Sequence, residues 1–157
     1  MKVSDVMTKN VVSVRADEPL SNAAKLMWDC DCGAIPVIGE GDRVVSVITD
    51  RDICMATWFN NLPPSALRVS DAMSRSLYGT SPDDSLAYAE GLMRSKQIRR
   101  VPVIDAEQRL LGILSLADIV RQGSRAEGKR QSELGPEQIT ITLARIVEPP
   151  VGVQPGL

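Results

Sequence analysis

The sequence contains no histidine. That removes the side chain most often used as a general base near neutral pH, and the commonest nitrogen ligand of zinc. A Ser–His–Asp hydrolase, a Cys–His protease and a histidine-ligated metal enzyme are therefore excluded. Aromatic residues are scarce at 3% of the chain, and cysteine occurs three times, at Cys30, Cys32 and Cys54. An odd set of thiols fits a reducing compartment better than a disulfide framework, so a cytoplasmic location is expected. No apolar run approaches the ~20 residues that cross a bilayer, and MKVSDVMTKN holds no signal-peptide core, so no membrane partner is expected. Charge of one sign does not dominate either. The net charge is -2 and the isoelectric point near 5.2, which argues against nucleic acid as a partner. Neither a P-loop nor a GxGxxG run is present.

What the 157 residues do contain is a repeat. Val3 to Cys54 aligns without a gap on Val69 to Val120, and 15 of the 52 positions are identical. VSDVM (3–7) matches VSDAM (69–73), and Leu20, Ala23, Leu26 and Met27 match Leu86, Ala89, Leu92 and Met93. IPVI (35–38) matches VPVI (101–104), and Thr49, Asp52 and Ile53 match Ser115, Asp118 and Ile119.

Each copy reads as a short strand, a helix, two strands and a second helix. In the first copy VVSV (11–14) is the short strand, and Pro19 stands where a first-turn proline opens a helix. Leu20, Ala23, Ala24 and Met27 then give that helix one apolar face. The runs 35–38 and 44–48 form a hairpin across GEGDR, and a second helix starts at Thr49 and fades around residues 60–64. About fifty residues with one apolar face leave a surface open, so the two copies are expected to close it against each other. The expected division is a first motif over 1–60, a linker over 61–68, a second motif over 69–122 and a tail over 123–157. The tail is polar and flexible by composition, with one expected strand at ITITLARIV (139–147) and a disordered PPVGVQPGL end.

The candidate chemistry lies at the strand-to-helix junctions SVITDRDI (46–53) and GILSLADI (112–119). Both carry Ser/Thr-x-x-Asp. Such a pair is a capping box and need be nothing more. It also places a hydroxyl, free amides and a carboxylate together, which suits the phosphate and ribose of a nucleotide. MRSKQIRRVPVI (93–104) adds Arg99 and Arg100 before a buried strand. They either complement a helix C-terminus in solvent or neutralise a phosphate by bidentate bonds. Gly33 and Ala34 hold the matching places in the first copy, so two unequal pockets are expected.

VMT (6–8), Pro19-Leu20, the two PV doublets and the blocks ITDRDI (48–53) and LSLADI (114–119) together resemble a tandem pair of cystathionine-β-synthase (CBS) domains, the Bateman module, in its small stand-alone bacterial form. The resemblance covers about residues 1–122. It implies an α/β (α+β) fold of two pseudo-twofold-related βαββα units packed sheet to sheet, with ligand clefts between them. It also implies a regulatory, energy-sensing module that binds AMP, ADP or ATP, or S-adenosylmethionine or another adenosyl compound, and is not an enzyme. By the family pattern Asp52 and Asp118 hold ribose hydroxyls, while Thr49 and Ser115 face phosphate. Arg99 and Arg100 match phosphate contacts in the γ subunit of AMP-activated kinase. The base would rest on Val12, Cys32 and Gly33 in the Asp118 site, and on Tyr78, Ile98 and Arg99 in the Asp52 site. Gly112 precedes Ser115 where the family often has glycine, but the first copy has Ser46 there. With no basic residue at 33–34, the Asp118 pocket is expected to be the stronger.

No metal site and no required cofactor are expected. Cys30-x-Cys32 is half a metal motif without a second half, and reads as core or near-core thiols. Trp28, Trp58 and Phe59 are a stacking platform, helix-end packing or a contact between two copies. The remaining expectations are a homodimer joined through the second helices and an unidentified downstream protein partner. Two rivals stand beside the sensor: a structural, partner-binding module with empty pockets, and a nucleotide-processing enzyme, which the missing histidine disfavours.

Overall fold

Apolar spacing of three and four residues starts the first motif's helix. In the computed structural model, which describes residues 1–126 and 135–147, α1 spans Leu20–Asp29 and buries Leu20, Ala23 and Met27. Pro19 lies just ahead of it as the N-cap, one residue earlier than a first-turn proline. β2 (Ala34–Ile38) is buried throughout, and β3 (Val44–Thr49) alternates with Val44, Ser46 and Ile48 inward. They pair antiparallel, Ile35 opposite Ile48. The expected strand at 11–14 is reduced to β1 (Val14–Arg15), which runs parallel to β2. α2 (Asp50–Asn60) follows Thr49 directly and ends on Asn61, held at a positive φ of 52°. Left-handed backbone of this kind suits asparagine better than most residues.

The second motif repeats the plan. After α3 (Val69–Ala72), the helix α4 (Leu86–Lys96) is capped by Ser85, whose side chain accepts the Tyr88 amide hydrogen at 3.1 Å. β4 (Arg100–Ile104) and β5 (Leu110–Ser115) pair antiparallel and lead into α5 (Leu116–Ala126). A single parallel bridge from Thr80 to Val103 stands in for β1. The two hairpin ends meet where the Val44 amide donates to the Gln108 carbonyl at 2.8 Å.

Two hydrophobic cores result, and each takes a valine from the other repeat. Val3 is fully buried among Leu86, Met93, Val101 and Leu114, while Val69 is fully buried among Leu20, Ile35 and Ile48. Backbone bonds fasten both: Val3 N to Asp84 O at 2.9 Å, and Val69 N to Glu18 O at 3.0 Å. The linker takes part as well. Pro64–Ala66 forms a short 3-10 turn, and Leu67 is buried in the first core with its carbonyl accepting the Leu20 amide.

The tail departs from expectation. Residues 139–147 are not a strand but the body of α6 (Pro136–Val147). Pro136 opens it, as proline does at a helix start. Ile139, Thr142 and Ile146, at helical spacing, are its buried residues. The alternation in ITITLARIV misled because β-branched residues tolerate a helix once its face is packed. Here Ile139 and Ile146 join the second core, and the Thr142 hydroxyl donates to the buried carboxylate of Glu90. Residues 123–126, expected in a flexible tail, belong to α5. The expectations for 127–134 and for the PPVGVQPGL end lie outside the described residues.

Candidate functional site

Each second helix begins with a reciprocal cap. The extended backbone of Thr49 ends β3, and its hydroxyl accepts the Asp52 amide hydrogen at 3.2 Å. Asp52 Oδ2 in turn accepts from Thr49 N at 2.8 Å and from Thr49 Oγ1 at 2.7 Å. Ser115 and Asp118 repeat this at 3.2, 2.8 and 2.5 Å. The capping reading is therefore correct for both pairs, and it leaves the second carboxylate oxygen to decide what else they do.

The two copies differ at that oxygen. Asp118 Oδ1 is engaged by the Arg121 guanidinium, and Asp118 is buried at 8% exposure. The cavity beside it, about 270 Å³, is walled by Asp5, Val6, Arg121 and Gln122. Asp52 is half-buried, and only its Oδ2 is used by the cap. It opens on a cleft of about 510 Å³ between the motifs.

That cleft gathers most of the candidate residues. Thr49, Asp52 and Gly33 come from the first motif, and Tyr78, Ile98, Arg99 and Arg100 from the second. The arginines reach it because they lead into β4, where Arg100 lies opposite Ser115. The Arg99 carbonyl accepts the Leu116 amide at 2.8 Å, which ties this segment to the start of α5. Lys96, outside the lining, places its Nζ 5.0 Å from the centre of the Tyr78 ring in a cation–π contact. The positive charge thus falls on the Asp52 side, reversing the expectation that the Asp118 pocket is better equipped.

Two further expectations are corrected. Ser46 does not limit approach to a ligand: it is fully buried, and its hydroxyl donates to the Ser74 carbonyl at 2.6 Å. Gly112 holds the equivalent place because a Cβ there would stand 2.6 Å from the Thr8 carbonyl and 2.9 Å from the Met7 sulfur. Both positions seat the segment arriving from the other repeat. Of the base-side residues assigned to Asp118, Val12 packs against the first core. Cys32 and Gly33 line a cavity of about 430 Å³ with Met27, Trp28 and Asp50. Cys30 and Cys54 are exposed, while Cys32 is half-buried against the first core, so of the first pair only Cys32 is near-core. Burial pushes the Cys32 thiol above its ordinary value, opposed first by a hydrogen bond with the Ala34 backbone and then by the charge of Arg100.

Sequence reasoning missed Asp50, Ser74, Ser76 and Gln97, which also line the cleft. Ser74 was legible as the partner of Thr8 in the repeat. Gln97 carried no signal before its left-handed turn was known, with φ at 53°.

The geometry is that of two equivalent units sharing a cleft, and comparison with known proteins agrees. The model of the CBS domain matches residues 3–58 and 69–125, so the chain belongs to the CBS-domain family. It is 37% identical over 117 residues to Hypoxic response protein 1 of Mycobacterium tuberculosis, covering 74% of this chain and 81% of the relative. CBS domain-containing protein YhcV of Bacillus subtilis is 38% identical over 117 residues, with the same coverage of 74% and 81%. Among solved structures, Hypoxic Response Protein I with two coordinated zinc ions superposes with a TM-score of 0.71 at 35% identity, covering 77% of this chain and 98% of that one. CBSX2 in complex with AMP gives a TM-score of 0.71 at 26% identity, covering 80% and 98%. Among the described residues of the present chain, no three His, Cys, Asp or Glu side chains are grouped to hold a metal, and no helix is long and apolar enough to cross a membrane.

Proposed function

We propose that the protein is a non-catalytic regulatory module that binds an adenine nucleotide, AMP, ADP or ATP, in the Asp52 cleft and acts as a ligand-sensing switch. One observation carries this reading: a single cleft joins a capped carboxylate from one motif to two arginines and a tyrosine from the other. Asp52 Oδ1 accepts ribose hydroxyls, Arg99 and Arg100 pair with phosphate, and Tyr78 and Ile98 receive the base. The ligand then bridges the motifs and favours whichever arrangement makes both sets of contacts, since only differential contacts shift an equilibrium. The AMP complex of CBSX2 supports the ligand class. The Asp118 pocket is the weaker site, because Arg121 already neutralises its carboxylate. The module works in the cytoplasm as a homodimer, using the exposed Trp28, Trp58 and Phe59 for self-association.

Thermal unfolding against AMP, ADP, ATP, S-adenosylmethionine and NAD tests the site. Ligand at about 100 times its Kd stabilises by about 2.7 kcal/mol, a shift of several degrees. Asp52→Asn keeps the fold but loses the shift, whereas Asp118→Asn retains it. A shift with S-adenosylmethionine alone reassigns the ligand. No shift with any of them puts the partner-binding module with empty pockets in its place.

A further inference from the structure

One wall of the cleft carries a negative charge that its pseudo-symmetric counterpart lacks. Asp50 is the first residue of α2, and Leu116 takes the matching place in α5. The Asp50 carboxylate accepts the Arg51 amide hydrogen at 2.7 Å, while the Asp50 amide donates to the Gly33 carbonyl at 3.3 Å. A Cβ on residue 33 would stand 3.0 Å from Asp50 Oδ2, so this glycine leaves room for the carboxylate. The side chain therefore lies on the helix N-terminus that would otherwise be open to an anion. With Asp52 it sets two negative charges against Arg51, Arg99 and Arg100 in the lining, a balance of one positive charge. That balance suits a single phosphate group and opposes a chain of three.

We propose that Asp50 sets the number of phosphates the cleft accepts, so that it favours a nucleoside monophosphate over the triphosphate. The inference rests on the reading of the cleft as an adenosyl site. Phosphates beyond the first extend the anion over the α2 N-terminus and meet the Asp50 carboxylate. Its exposure to water screens the repulsion, to roughly three- to tenfold in affinity for the triphosphate.

Calorimetric titration of the full chain and of Asp50→Asn with adenosine, AMP, ATP and S-adenosylmethionine tests this. The wild type binds AMP more tightly than ATP. Asp50→Asn raises ATP affinity roughly three- to tenfold, leaves neutral adenosine unchanged and weakens the cationic S-adenosylmethionine. The ATP gain shrinks at high salt. An unchanged ATP-to-AMP ratio, or an equal change for every ligand, overturns the role of Asp50 while the site stands. Binding of none of the four compounds overturns both.

Discussion

Val3 belongs to the first repeat by sequence but is fully buried in the core of the second. Replacing it by alanine removes two methyl groups, about 1.6 kcal/mol of transfer free energy at ~0.8 kcal/mol each. Partial relaxation around the small cavity brings the cost to about 2 kcal/mol. For a chain of this size that lowers Tm by about 4–8 °C. The informative assay is hydrogen exchange, because it locates the loss. Val3→Ala accelerates exchange in β4 and β5 and spares β2 and β3. Val69→Ala, which empties the same place in the first core, does the reverse. Faster exchange in β2 and β3 upon Val3→Ala would refute the crossed arrangement of the cores.

Three further outcomes follow from exposed and half-buried groups. Cys32 alkylates more slowly than Cys30 and Cys54 near pH 8, because burial raises its thiol above the ordinary range; mass-spectrometric mapping at timed intervals reads this directly. The sign for stability follows from the same shift. The folded state keeps a proton that the unfolded chain loses first, so the contribution is whole below the unfolded pKa and disappears as pH rises through the folded one. Cys32→Ser removes that alkaline dependence. Trp58 is 71% exposed and meets Phe59 edge-on, with ring centres 4.8 Å apart. On the proposed homodimer, Trp58→Lys shifts sedimentation toward the monomer, and an unchanged profile removes this face as the proposed contact.

Much of the fold was legible because a repeat states the same plan twice. Two residues with one register, such as Asp52 and Asp118, mark a junction more firmly than either capping box alone. The helix faces of α1 and α4 followed from Leu20, Ala23 and Met27 and their counterparts. Local pattern misled at ITITLARIV, where alternation imitates a strand. What made it a helix was the surface waiting on α4, including the Glu90 carboxylate that Thr142 satisfies. It was silent on Ser46 as well, since a hydroxyl aimed at Ser74 looks the same in sequence as one facing a ligand.

The residue types by themselves determined that these 157 residues offer no histidine, that two equivalent motifs exist, and that each offers a hydroxyl and a carboxylate at a helix start. Those properties are local, set by composition and by spacing within one turn or one pleat. Which pocket receives the arginines of the second motif was decided only in three dimensions. Arg121 lies one turn beyond Asp118 and closes it, while Arg99 and Arg100 cross from the second motif to stand by Asp52. Charge acts through space rather than along the chain, so the balance of the two pockets waited on the packing of one repeat against the other.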